Sequence, residues 1–256
     1  MSPPAPYYQD GQVTLYCGNS LELLADHADL LAAEAIVTDP PYGEISLAWD
    51  VWPDGWPGLA AAAAKSMWCF GSMKMFLRHF DDFAGWRLSQ DIVWQKHAGS
   101  SPAADRFRRV HEYALHWYRG KWREIYKEPQ REPNPVSGMK VGSVSHRRSG
   151  TAPHLGGLGP STYLYDGTRL VHSVIPARSM RGRALHPTEK PPQILAPLIR
   201  YSCPPGRVIL DPFPGSGSTL AVARSLGRRA IGIERDERYA EIAARRLSKH
   251  DPNGPA

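Results

Sequence analysis

The sequence predicts an α/β fold: a mixed, mostly parallel sheet with helices on both faces, plus one small irregular insert. Three observations predict it. Short apolar runs of strand length alternate with amphipathic stretches of helix length through most of the chain. Near the end, an apolar run, a glycine turn, a helical stretch and a second apolar run form one strand–helix–strand unit at 207–234. Between 121 and 183 this rhythm stops, and Pro, Gly, Ser and basic residues take over. The chain therefore divides into 1–120, an insert at 121–183, and 184–256.

Taken in order, residues 1–10 read as a loose arm and Val13–Cys17 as a short strand. Asn19 or Ser20 caps a helix carrying Leu21, Leu23, Leu24, Leu30 and Leu31. The apolar run Ala35-Ile36-Val37-Thr38 is a strand that delivers Asp39-Pro40-Pro41-Tyr42. Each proline fixes φ and lacks an N–H, so this elbow is stiff and its carbonyls stay open to accept hydrogen bonds. The Asp39 carboxylate and the Pro40 carbonyl can face one small NH2 group, with the Tyr42 ring beside it. Such a site suits a planar heterocycle carrying an exocyclic amine.

The loop at 43–57 holds Trp49, Trp52 and Trp56, either for packing or to line a pocket. An alanine-rich helix is expected at 58–66, a buried strand at 67–70, an amphipathic helix at 73–83, and strands at Arg87–Gln95 and 110–118 around a loop at 99–105. The insert contains a few short strands, such as 171–175. His186-Pro187-Thr188-Glu189-Lys190-Pro191 leads into a helix ending near 201, kinked by Pro197. A strand at 207–210 then delivers Asp211-Pro212-Phe213-Pro214-Gly215-Ser216-Gly217-Ser218-Thr219. The following helix ends at Gly227, a strand at 230–233 ends at Glu234, and Asp236 caps the last helix.

The 256 residues suffice for one core and a small insert. No apolar run reaches membrane-spanning length and the start has no signal pattern, so a cytoplasmic protein without a membrane partner is expected. Cys17, Cys69 and Cys203 are widely spaced and sit in or beside apolar segments. They read as reduced core thiols, and no metal site is expected. The net charge is +6, and 121–183 holds eleven Lys/Arg against four Asp/Glu, a balance of +7. That segment either meets a polyanion or is a solvated basic loop.

The turn Gly215-x-Gly217 lets backbone approach a ligand, and Glu234 at the next strand tip is placed for ribose hydroxyls. The third glycine of a dinucleotide fingerprint is missing, and there is no P-loop lysine, so a different nucleoside-containing cofactor is indicated. Eight motifs stand in one order: Gly18-Asn19-Ser20, the proline elbow, Phe70-Gly71-Ser72, Trp94-Gln95-Lys96, His111-Glu112-Tyr113, the His186 segment, the Asp211 turn and Glu234. With them, residues 13–247 resemble the exocyclic-amine DNA methyltransferases of the β order, which use S-adenosylmethionine.

The resemblance implies a Rossmann-like methyltransferase fold with permuted motif order, in which the insert is the target-recognition region. It implies catalysis by Asp39, Pro40, Pro41 and Tyr42. It implies cofactor contacts from Asn19, Asp39, His186, Thr188, Lys190, Asp211, Phe213, Gly215, Ser216, Gly217, Thr219 and Glu234, with Lys190 meeting the cofactor carboxylate. Asn19 stands where the family usually has Asp. DNA contacts fall to Trp94, Lys140, His146, Arg147, Arg148 and Arg169. The implied partner is double-stranded DNA, site-specifically methylated at a flipped base. Asp at the head of the elbow leans to adenine N6 over cytosine N4. A silent DNA-binding member of the fold is the alternative class. The apolar face at 73–83 offers a homodimer surface.

Overall fold

A computed structural model describes residues 4–96, 105–134, 138, 140–147, 150–152, 156–180 and 189–249. His186, Thr188, Arg148 and most of the expected loop at 99–105 lie outside the described residues. The chain forms two compact units, Met1–Glu128 with Ser173–Ala256, and Pro129–His172.

The elements run β1 Tyr8–Gln9, β2 Val13–Cys17, α1 Ser20–Asp26, β3 Ala35–Thr38, α2 Trp56–Ala60, β4 Ser66–Gly71, α3 Met73–Arg78, β5 Arg87–Gln95 and β6 His111–Tyr118. Six short strands follow: β7 Arg131–Pro133, β8 Val144–Arg147, β9 Gly150–Ala152, β10 Gly156–Leu158, β11 Ser161–Leu164 and β12 Thr168–Leu170. Then come β13 Val174–Pro176, α4 Pro192–Ser202, β14 Val208–Asp211, α5 Ser218–Ser225, β15 Arg229–Glu234 and α6 Glu237–Ser248.

The larger unit is built on one sheet of order β1-β2-β15-β14-β3-β4-β6-β5-β13. Strands β2, β15, β14, β3 and β4 run parallel, and β6 is reversed between β4 and β5. Every residue of β3 and β4 is buried. Their near-continuous apolar runs, with no polar alternation, are what a sheet covered on both faces requires. Side chains divide by strand parity. Val37 and Ile209 join Ile194, Leu198 and Leu220 of α4 and α5 on one face, while Ile36 and Leu210 join Leu24, Trp56 and Met75 of α1, α2 and α3 on the other.

The smaller unit nests its strands as antiparallel pairs, β7 with β12, β8 with β11 and β9 with β10. Tyr165, 6% exposed, anchors it by donating its hydroxyl to the Asn134 carbonyl at 2.9 Å.

Several local expectations change. The alanine-rich helix stops at Ala60, because Ser66 already opens β4. The helix expected at 73–83 ends at Arg78 and continues as a 3-10 turn, Phe80–Phe83, that keeps Phe83 buried. The strand expected at 171–175 is β13, which pairs with β5 in the large sheet. Cys17 is exposed, since it is the last residue of β2, so only Cys69 and Cys203 are core thiols.

Candidate active site

Strands β14 and β3 are parallel neighbours, with Leu210 beside Ile36, so their C-terminal ends reach the same edge of the sheet. The connection after β14 turns through α5 to β15 on one side, while β4 lies on the other side of β3. The strand tips beside such a reversal are where α/β sheets take their ligands. The two tips are bonded directly: Thr38 Oγ1 donates to Asp211 Oδ1 at 2.7 Å. The Phe213 N–H donates to the same oxygen at 3.0 Å. Burial pushes the Asp211 carboxyl up to about 6, against the pull of its hydrogen bonds from Thr38, Thr219 and Phe213.

The turn after β14 needs its glycines. Gly215 and Gly217 have φ of 52° and 77°, left-handed values that residues with a Cβ resist. A Cβ on Gly217 would also lie 2.9 Å from that of Ala243. The Gly215 N–H donates to Glu234 Oε2 at 2.9 Å, and the Asp236 N–H to Oε1 at 2.8 Å. Burial pushes Glu234 up to about 7 despite these two donors. β2 continues the arrangement, because Gly18 N–H donates to the Glu234 carbonyl at 2.9 Å and brings Asn19 next to the tip. Asn19 Oδ1 caps α1 by accepting from Leu21 N–H at 3.1 Å, which leaves one of its two lone pairs. Ser216 Oγ donates to Glu189 at 3.0 Å, and Glu189, whose side chain is 4% exposed, also pairs with Arg246 at 2.8 Å. Side-chain-free backbone, an acid at the strand tip and a buried Thr219 fit an adenosyl group.

At the elbow, Asp39 Oδ1 accepts the Tyr42 hydroxyl at 2.5 Å, and Oδ2 accepts from the Lys190 ammonium. Lys190 Nζ also lies 3.4 Å from Glu112 Oε2, and Glu112 Oε1 accepts from Lys96. Burial, joined by Glu112, pushes the Asp39 carboxyl up against the pull of Lys190. Burial works against the Lys190 charge, but Asp39 and Glu112 outweigh it and hold Lys190 an ammonium. Burial and Asp39 hold the Tyr42 phenol well above its usual range, so it donates. Asp50, 7% exposed, fixes the chain leaving the elbow by accepting from the N–H groups of Tyr42, Gly43, Glu44 and Ile45, at 2.7, 3.1, 2.7 and 2.7 Å.

A family model described as DNA methylase, for the N6/N4 methyltransferases, matches residues 33–245. The chain belongs to this family. It is 47% identical over 72 residues to the type II methyltransferase M.HinfI of Haemophilus influenzae, a match spanning 28% of this chain and 20% of that one. It is 28% identical over an alignment of 270 residues to the type II methyltransferase M.ScaI of Streptomyces caespitosus, spanning 94% and 83%. Among solved structures, the M1.HpyAVI–SAM complex superposes with a TM-score of 0.60 at 24% identity, covering 92% of this chain and 100% of that one. The cytosine-N4-specific PvuII DNA methyltransferase superposes with a TM-score of 0.61 at 17% identity, covering 98% and 90%. These two share the fold.

In this methylase the strand tips gather Asp39, Tyr42, Lys190, Asp211, Gly215, Ser216, Gly217 and Glu234 on one edge. Trp94 is a correction. Read as a DNA contact, it is 3% exposed and donates its indole N–H to the Ala177 carbonyl at 2.8 Å, so its ring is core. Lys190, expected to meet a cofactor carboxylate, is engaged by two acids of the chain itself. Trp52 and Trp56 are packing residues: Trp52 stacks on His79 at 4.3 Å, and Trp56 meets the Phe213 ring edge-on at 5.3 Å.

Within the smaller unit, Lys140 is exposed at a turn, His146 and Arg147 lie on β8, and Arg169 pairs with Glu132 at 2.9 Å. Residues 129–172 hold five Lys/Arg against two Asp/Glu, so much of the basic excess belongs to the flanking chain. Sequence reasoning gave no role to Lys96, Glu112 or Asp50; Glu189 was read only as a candidate helix cap and Arg246 only as a cation at the end of the last helix, whereas the two pair with each other beside Ser216. Glu112 and Lys96 stood inside quoted motifs, which was their only signal. Among the described residues no helix is long and apolar enough to cross a membrane.

Proposed function

We propose that this methylase transfers a methyl group from S-adenosylmethionine to the N6 amine of an adenine flipped out of double-stranded DNA, at specific sites. The observation that carries the reading is the Thr38–Asp211 hydrogen bond of 2.7 Å, which joins the proline elbow to the glycine turn. The cofactor supplies a methyl group activated on a sulfonium, so the difficulty lies with the nucleophile. An exocyclic amine is conjugated with its ring and attacks poorly. Asp39 and the Pro40 carbonyl accept its two N–H groups, draw the nitrogen toward tetrahedral geometry and aim its lone pair. As the N–C bond forms and the C–S bond breaks, Asp39 takes the proton that the methylated nitrogen loses and passes it to water. Alignment and preorganised charge supply most of the rate.

Tyr42, a neutral phenol, fixes Asp39 and presents its ring to the extruded base. On the cofactor side, Glu234 accepts from the ribose hydroxyls and Asn19 faces the adenine end, with Asp211, Phe213, Ser216 and Thr219 completing the lining. Lys140, His146, Arg147, Arg148 and Arg169 supply phosphate and base contacts to the duplex. Exposed Met73, Leu77 and Phe80 on and beside α3 support pairing of two copies.

The acid at the head of the elbow supports adenine. Cytosine N4 is the second reading, supported by the fold shared with the cytosine-N4-specific PvuII enzyme. Incubation with methyl-labelled cofactor and unmethylated genomic DNA, then nuclease digestion and mass spectrometry, tests the proposal. N6-methyladenine is the expected product. N4-methylcytosine selects the second reading, and unlabelled DNA overturns both in favour of a binding protein.

A further inference from the structure

Both oxygens of Asp39 are engaged within the chain, one by Tyr42 and one by Lys190. Each oxygen keeps a second lone pair, but the ammonium on Oδ2 draws off the negative charge that makes that oxygen a strong acceptor for an amine. The Lys190 ammonium, with its side chain 5% exposed, cannot simply be turned loose, because a buried unpaired charge is strongly unfavourable. Glu112 offers it a second partner. Its Oε1 is held by Lys96, whereas the buried Oε2 accepts no hydrogen bond among the described residues and lies 3.4 Å from Lys190 Nζ. Buried carboxylate oxygens ordinarily find a donor, and this one has an ammonium within a small side-chain rotation.

The supports are unequal in a useful way. Glu112 sits on β6, its backbone held in the sheet by pairing with Trp94 of β5. Lys190 precedes α4 on a flexible four-carbon stem. The rings of Phe70, Tyr42 and Trp94 lie 5.2, 5.9 and 5.9 Å from its Nζ, so the cation keeps aromatic faces around it as it moves.

We propose that Glu112 is a positioning residue for methyl transfer: it draws Lys190 off Asp39 when the target amine arrives, vacating Asp39 Oδ2 as the amine's acceptor while the ammonium stays paired. The inference rests on the proposed function, and deepens it by giving the buried charge cluster a role in each turnover.

A double-mutant cycle tests it. In the otherwise wild-type protein, Glu112→Gln lowers kcat at least roughly tenfold while the KM for DNA and the calorimetric Kd for the cofactor stay within about twofold. Glu112→Asp, which keeps the charge, restores most of kcat. In a Lys190→Met background, or Lys190→Gln should the methionine variant not fold, adding Glu112→Gln changes kcat by less than about twofold, because there is no cation left to move. Equal losses in both backgrounds, or an undiminished kcat in Glu112→Gln alone, overturn the inference. So do a cofactor Kd that rises and an unfolding midpoint that falls in step with the loss of kcat, which mark a merely structural role. A wild-type protein that transfers no methyl overturns the proposed function instead, and the inference with it.

Discussion

The tips of β14 and β3 are neighbours bonded through Thr38 and Asp211, yet they are built from opposite materials. The β14 tip is made of backbone: two left-handed glycines, N–H groups aimed at Glu234, and acids whose ionisation burial discourages. The β3 tip is made of side-chain charge, with Asp39, Glu112, Lys96 and Lys190 in one buried cluster and Tyr42 donating into it. The first tip suits holding a nucleoside, because fixed dipoles need no reorganisation. The second suits moving hydrogen bonds and protons, because its partners can be exchanged. Under the proposed function binding and chemistry are therefore separable, and substitutions should part them.

The largest expected effect is at the charged tip. Asp39→Ala should lower methyl transfer by roughly a thousandfold while the calorimetric cofactor Kd stays within about threefold, since the backbone tip is untouched. A Kd that rises many-fold as the rate collapses would merge the two tips into one device. Next comes the backbone tip. Gly217→Val forces a side chain onto a φ of 77° and within 2.9 Å of the Ala243 Cβ. It should lower stability by about 1–3 kcal/mol and weaken cofactor binding, read by thermal unfolding and calorimetry.

A smaller effect concerns pH. Burial raises Asp211 from 3.8 to about 6 and Glu234 from 4.5 to about 7, so each binds its proton more tightly folded than unfolded. Their contribution to stability is fully present below the unfolded values and is lost as pH rises through about 6 and about 7. Unfolding free energy should therefore decline over that window, and Glu234→Gln should flatten the upper part of the decline. Cofactor affinity should move the other way, rising as Glu234 ionises and becomes the better acceptor. The smallest effect lies in the second unit: Lys140→Ala should weaken DNA binding about twofold at low salt and reduce its salt dependence, leaving cofactor affinity unchanged.

The same contrast explains what the sequence disclosed. The glycine turn and the proline elbow are contiguous, so their residues carry their geometry with them, and β3 and β14 announced themselves as unbroken apolar runs. The charge cluster is assembled from β5, β6 and the segment before α4, through an antiparallel register that pairs Trp94 with Glu112. Nothing local encodes that register. Trp94 failed as a DNA contact for a related reason: β13 pairs Ile175 beside it, and the Ala177 carbonyl that follows takes its indole N–H. The break in the 73–83 helix was hidden because the apolar period continues through the 3-10 turn while the hydrogen bonding changes. Asp50 escaped notice because four N–H groups converge on it only once the loop after the elbow has folded back.

The central claim is that two distant parts of the chain share one cleft. A crystal structure of the protein soaked with S-adenosylhomocysteine tests it most directly. An adenosyl group is expected over Gly215 and Gly217, with ribose hydroxyls on Glu234 and the sulfur within a methyl's reach of an amine held at Asp39. A ligand bound in a cavity that does not open onto Asp39 would contradict it.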